Sequence, residues 1–303
     1  MPPRSSPEER FSAGVLNVDK SAGETSFAVV RRLRRLTGAH RVGHAGTLDP
    51  LATGVLPILF ESSTRLAEFA LQLSKTYVAD IHFGFTTQTD DAEGERVAGG
   101  DASHLTAEAV VAALDGFRGR ILQTPPAFSA VKVDGKRAYA MARRGEEPRP
   151  EPREVVVHEV NVLGFEPGAE PVARVEIRCG SGTYLRAIAR DLGERLGVGG
   201  YLGRLVRTAY GPLELRDAVR LEDLPDADAV RARLLPAEVI LPLMERVRLS
   251  VEQEAMVRQG RPVRVLPEPA PGAVRAHDME GRLVALGHTD PLRRTFVPTK
   301  VLS

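Results

Sequence analysis

The chain has a single cysteine, Cys179, which excludes an internal disulfide and any multi-cysteine metal site and suits a reducing compartment. It has no apolar run near the roughly 20 residues needed to span a bilayer, and its opening MPPRSSPEER lacks the apolar core of a secretory leader. No membrane association is expected, and the cytoplasm is the expected location. Lysine is scarce: five among 41 Lys and Arg, which leaves 36 arginines. Net charge is scarce as well, at +1, which argues against a chain coated in nucleic acid but conceals how the charge is distributed. What is present, 303 residues with 43% hydrophobic content, suffices for at least one full core in one large domain or two.

Charge is gathered locally. Residues 31–41, RRLRRLTGAHR, hold five arginines and no acid, and residues 132–144 hold five basic side chains against Asp134 alone. From Arg246 to Ser303 there are ten Lys or Arg and six acids, a surplus of four, so the preceding 245 residues sum to minus three. The positive excess therefore lies toward the C-terminus.

Hydrophobic periodicity lays out the elements. Gly14–Lys20 reads as a strand; Thr25 or Ser26 caps a helix with Val29, Leu33 and Leu36 on one face, ended by Gly38. A helix is predicted over Ser63–Leu73, then a strand over Lys75–Phe85 in which Tyr77, Ala79, Ile81 and Phe83 alternate. Residues 105–118 read as helix. A polar, basic excursion follows between Pro125 and Pro152, with a short helical pattern around Arg137–Arg144. Val172–Cys179 alternates as a half-buried strand, Gly180-Ser181-Gly182 breaks it, and a helix from Thr183 to Leu196 turns Leu185, Ile188, Ala189, Leu192 and Leu196 inward. A boundary falls near Pro242–Val247. Beyond it the chain reads as short strands, with LPEPAPG at 266–272 as a loop between two of them.

One segment carries chemistry. VGHAGTLDPLATGVLPI, residues 42–58, sets a lone carboxylate, Asp49, among small and apolar residues. Gly43, Gly46 and Gly54 allow backbone angles or close ligand approach that a side chain would block, and Pro50 restricts Asp49 toward extended geometry. An isolated Asp-Pro is ordinarily a turn. In this context Asp49 fits a nucleophile, a general base or a ligand anchor.

The segment resembles the signature of the TruB family of tRNA pseudouridine synthases, and further motifs follow in order between residues 12 and 245. The resemblance implies that Asp49 is the catalytic residue of a reaction that breaks the N1–C1′ bond of uridine, turns the uracil and rejoins it through C5. Attack at C6, attack at C1′ and action on a sugar proton all stay open to Asp49. That isomerisation needs no metal and no cofactor. In GTYLR, residues 182–186, Arg186 matches the arginine that pairs with the aspartate, and Tyr184 lies beside it. Tyr77 of Lys75-Thr76-Tyr77 matches a tyrosine that stacks on the base. Stacking of this kind contributes roughly 1–3 kcal/mol per base. Lys75 is expected at phosphate or at the loop, His44 near the flipped nucleotide, and Lys20, from NVDKSAGETS, near the active site. Thr87, Thr89, Asp91 and Gly94 match a TxTxDxxG motif that composition alone would assign to a turn or a weak calcium loop. Lys132, Lys136, Arg137 and Arg143 are available for phosphates.

What the resemblance implies for the whole is an α+β pseudouridine synthase core, with a mixed, mainly antiparallel sheet and packed helices, followed by a small β-rich PUA-like domain. The corresponding division is residues 1–11 disordered, 12–245 catalytic with an RNA-gripping insertion at 123–152, and 246–303 RNA-binding. The implied substrate is uridine 55 in the T-arm of tRNA, flipped from its stack. The enzyme is expected to be a monomer without an obligatory protein partner, and a role in tRNA folding could accompany catalysis. Three other readings compete: a non-catalytic RNA-binding protein, against which the intact Asp49, Tyr77 and Arg186 set argues; an aspartate phosphotransferase, which would need further acids for Mg²⁺; and a subunit of a guide-RNA machine, against which the short tail argues.

Overall fold

In a computed structural model that describes residues 11–133, 135–265, 272–290 and 292–302, a ten-stranded mixed sheet organises the chain. The order along the main path is 219–220, 14–20, 53–60, 200–210, 75–83, 172–179, 153–166 and 119–123, with 42–44 paired to 53–60 and 213–214 to 200–210 at the side. Only two pairings are parallel, 14–20 with 219–220 and 53–60 with 200–210; the others are antiparallel. The α+β class with a mainly antiparallel mixed sheet is as the resemblance implied.

Strand alternation sorts side chains onto two faces. In Gly14–Lys20, Leu16 and Val18 join one core while Val15 joins another. In Thr53–Phe60, Leu56, Ile58 and Phe60 go to the first and Val55 and Leu59 to the second, which is why this central strand is apolar throughout. The first core takes Val29, Val30 and Leu33 of the helix Ser26–Thr37, Val110 and Leu114 of Ala107–Asp115, and Ile188, Ala189 and Leu192 of Leu185–Arg195. The second is closed by Leu286 of a five-stranded sheet of strands 245–248, 273–277, 283–290, 295–301 and 263–264, and by Leu302 just beyond the strand 295–301. Two polar ties cross the same junction: Lys300 Nζ donates to Arg65 O at 2.7 Å, and His277 Nε2 meets Glu238 Oε1 at 2.9 Å.

Several boundaries differ from the periodicity, each for a local reason. The strand from Lys75 ends at Phe83 because Gly84 turns at φ 111°, sending Phe85 into the hairpin 85–87/96–99. The helix expected over 63–73 is a 3-10 turn, Glu61–Leu66, followed by an α-helix, Ala67–Gln72. The helix expected from Thr183 begins at Leu185, because the Gln123 side-chain oxygen accepts from Tyr184 N at 2.9 Å. Residues 1–10, the 266–271 part of the LPEPAPG loop and Asp134 lie outside the described residues. Among the described residues no helix is long and apolar enough to cross a membrane.

Candidate active site

Asp49 sits on the loop between the strand Val42–His44 and its antiparallel partner Thr53–Phe60. Three side chains from outside pin that loop. Ser26, at the start of its helix, donates from Oγ to Leu48 O (3.1 Å) and accepts from Leu48 N (2.9 Å). Lys20, at the end of the first strand and fully buried, donates to Pro50 O (3.3 Å), Glu24 O (2.7 Å) and Ser21 O (2.9 Å). Arg207, also buried, donates to Val55 O (2.6 Å) and Gly46 O (3.0 Å) on either side of the aspartate.

Two glycines make the loop possible. Gly46 turns at φ 70°; Gly54 turns at φ 100° with its Cα side so close to the neighbouring strand that a Cβ would lie 2.3 Å from Arg207 O. Sheet register explains the closeness, since Arg207 lies directly across from Gly54 on one side and Tyr77 on the other. Three strands thus bring the loop, the arginine and the tyrosine into one row.

The Asp49 carboxylate, 39% exposed, meets Arg186 Nη2 at 3.0 Å. Arg186 is in the first turn of its helix with only 7% of its side chain exposed. Its guanidinium also donates to Phe128 O (3.0 Å) and Thr89 O (3.1 Å) and lies 3.4 Å from Asp91 Oδ2. A planar, permanently charged fork suits that four-way contact. The TxTxDxxG turn is therefore a clamp on the arginine: Thr87 Oγ1 donates to Asp91 O at 2.7 Å and Glu93 N to Asp91 Oδ1 at 3.1 Å. A further layer supports it, with Arg190 bonded to Asp90 Oδ2 (2.9 Å), Asp191 Oδ1 (2.8 Å) and Thr124 O (2.9 Å).

Tyr77 is 8% exposed, and burial raises its phenol above the ordinary value while Arg207 opposes that shift. The Asp49 carboxylate is near enough to act on Tyr77, Tyr184 and Lys20. Burial, followed by Arg207, lowers the His44 pKa below the usual imidazole value, so the half-buried ring is neutral at pH 7 and can give or take a hydrogen bond without adding charge. Tyr184 is half-buried, with its backbone held at both ends by Gln123. Cys179 packs in its strand; burial pushes its thiol up to about 11.

The structure places Lys20 and Lys75 inside the protein and not on its surface. Lys20 spends its three donors on backbone carbonyls, and burial lowers it to about 8 against the pull of Glu24 and Asp49. Lys75, 6% exposed, donates to Leu71 O at 2.6 Å and sits 4.8 Å from the Tyr210 ring centroid, with burial and Arg207 lowering it to about 8. Both act on the shape and potential of the site from within. Lys132, Lys136 and Arg143 are exposed on the excursion, whose hairpin 132–133/136–137 leads into the helix Ala138–Ala142. The Arg137 side chain lies outside the described residues. Phe128 O, near the base of the excursion, is one of the Arg186 acceptors, so the excursion is bonded to the Asp49–Arg186 pair.

Arg207 is the residue of the site that sequence reasoning missed. Among the described residues it forms no ion pair, yet it is 1% exposed and tied to the loop from both sides. Together with Arg186, Lys20 and Lys75 it leaves the site short of negative charge, which favours a phosphate-bearing ligand over a neutral one.

Comparison with known proteins agrees with the geometry. The TruB family pseudouridylate synthase N-terminal domain matches residues 34–185, and the tRNA pseudouridylate synthase B C-terminal domain matches residues 186–245. A tRNA pseudouridine synthase B of Synechococcus sp. is 46% identical over 281 residues, covering 91% of this chain and 94% of that one. Its counterpart in Symbiobacterium thermophilum is 49% identical over 247 residues, 82% of each chain. Among solved structures, a chain of a Cbf5-Nop10-Gar1 complex superposes with a TM-score of 0.72 at 25% identity, covering 96% of this chain and 84% of that one. With both family domains matched end to end across residues 34–245 and the Asp49–Arg186 pair assembled, this chain belongs to the TruB family of pseudouridylate synthases.

Proposed function

We propose that the protein converts a uridine of tRNA to pseudouridine, and that the uridine is number 55 in the T-loop. The observation that carries the reading is the Asp49–Arg186 pair at 3.0 Å, partly open to solvent at Asp49 and closed around Arg186. The relatives named above, at 46% and 49% identity, are tRNA pseudouridine synthases, which supports tRNA as the substrate.

Asp49 is the nucleophile. The loop clamps at Lys20, Ser26 and Arg207 fix it before substrate arrives, so little of the binding energy goes to ordering it. Arg186 keeps the carboxylate charged and aimed. The N1–C1′ bond breaks, the uracil turns while held in the pocket, and a C5–C1′ bond forms; the C5 proton leaves and N1 gains one, so the sum is an isomerisation. Tyr77 offers its ring face to the base, and its raised pKa keeps the phenol protonated at neutral pH, able to donate a hydrogen bond. Neutral His44 contacts the nucleotide at the mouth of the site. Residues 123–152, through Lys132, Lys136 and Arg143, grip the RNA, and residues 246–303 form a PUA-like RNA-binding module. The enzyme works as a cytoplasmic monomer without a protein partner.

Tritium release from a [5-³H]uridine-labelled tRNA transcript tests the reading. Release is expected from wild type acting on uridine 55, and none from Asp49→Asn or from a transcript with cytidine at 55. Asp49→Asn should still bind the transcript, because charge is lost with little change in volume. A wild-type protein that binds a correctly folded transcript and releases no tritium refutes the assignment.

A further inference from the structure

The helix Ser26–Thr37 has an outer face that the catalytic site does not use. Ser26, Val29, Val30 and Leu33 are buried, whereas Phe27, Arg31, Arg34 and Arg35 are exposed, Phe27 by 68%. These four stand at i, i+4, i+7 and i+8, so they share one face. Among the described residues Arg31, Arg34 and Arg35 take part in no ion pair, and neither does exposed Arg41 just beyond the helix. Elsewhere on the surface the pattern is mixed: Arg120 pairs with Glu154, Arg174 with Asp80, Arg216 with Glu214 and Arg231 with Asp228, while exposed Arg149, Arg204 and Arg233 are scattered singly on other elements. In a chain of net charge +1, unpaired cations gathered on one face mark a place where the missing anions arrive with a partner.

The position of the helix says which partner. Its first residue, Ser26, is hydrogen-bonded in both directions to Leu48, the neighbour of Asp49. Phe27 therefore lies at the catalytic end, and the arginines trail away from it by about 6 Å to Arg31 and about 12 Å to Arg35 along the axis. We infer that this face is a track for the ribose-phosphate backbone of the substrate RNA beside the reacting nucleotide, with Phe27 as a stacking platform and Arg31, Arg34 and Arg35 on phosphates. The inference rests on the reading of RNA as substrate. An exposed aromatic followed by cations is the combination that holds a strand without reading its sequence.

The experiment compares wild type, an Arg31→Gln/Arg34→Gln/Arg35→Gln variant and a control of equal charge, Arg120→Gln/Arg216→Gln/Arg231→Gln, for binding of unmodified tRNA transcript across a series of salt concentrations. Three lost phosphate contacts make the slope of log affinity against log salt shallower by about 2 to 3 in the helix variant. The control keeps the wild-type slope, and single-turnover conversion at saturating protein is unchanged in both. Phe27→Ala weakens binding by one common factor at every salt concentration. A helix variant with the control's affinity and slope overturns the inference. So does an unchanged slope with lost retention on phosphatidylserine vesicles, which would give the face to a membrane surface instead. A wild-type protein inactive on tRNA would strike the functional reading itself, a separate outcome.

Discussion

Replacing Arg186 by lysine keeps the charge and removes the fork. The guanidinium reaches Asp49 Oδ2 and Phe128 O from one nitrogen, and Thr89 O and the neighbourhood of Asp91 Oδ2 from the other. An ammonium is a point and cannot span both pairs, so at least two charged hydrogen bonds are lost, each worth about 1.5–3 kcal/mol. Asp49 is 39% exposed, and water screens part of that loss. A net penalty of about 3–4 kcal/mol on the transition state is the consequence, or roughly 150- to 1,000-fold in single-turnover rate. Folding is spared, because the retained cation still faces Asp91 and no buried charge is left alone. The assay is rapid-quench tritium release with enzyme in excess, alongside tRNA affinity and a urea melt. Arg186→Lys within threefold of wild type, with its fold intact, would refute the claim that the forked anchoring of the guanidinium, and not charge alone, makes this site work.

Two further perturbations test the scaffold. Gly54→Ala combines a positive φ with a Cβ 2.3 Å from a backbone oxygen, so it is expected to cost about 2–5 kcal/mol of stability in a urea melt, whereas Gly38→Ala, at φ 67° with open space around it, costs about 1 kcal/mol. Equal losses at the two positions would show that the Gly54 contact with Arg207 is unimportant. His277 is buried against Glu238, and burial holds its pKa below the usual imidazole value, with the Glu238 bond opposing. The unfolded chain then binds more protons between the folded value and about 6.5, so stability climbs as pH rises through that window and levels off above it. His44 and His82 are shifted the same way. His277→Gln should flatten part of the climb in chemical melts taken from pH 5 to 7.5, and an unaltered pH dependence would place His277 outside the titrating set.

Much of the fold and half of the site were legible in the chain itself, because they depend on local physics. Period-two alternation placed strands over 75–85, which ends at Phe83, and 172–179, and Thr25 or Ser26 and Gly38 marked the two ends of the first helix, capped by Thr25. The Asp49 loop, Arg186 and Tyr77 came from ordered motifs, and the Asp49–Arg186 pair was expected before any distance was known. Boundaries were misplaced where a distant side chain decided them, as at Tyr184, whose amide Gln123 holds across 61 positions of sequence.

Sequence by itself determined the chemistry available: one carboxylate among small residues, a tyrosine at a strand start, an arginine at a helix start. Tertiary structure decided what the other cations do. Lysine is ordinarily solvated, so nothing local announced that Lys20 and Lys75 are buried, and Arg207 is one of 36 arginines with no acid beside it. Its role depends on the parallel pairing of strands 53–60 and 200–210, which brings it against Gly46 and Val55 from more than 150 residues away. Only a sheet closed over that separation can tell a structural cation from a surface one, because burial is set by what the rest of the chain places on top.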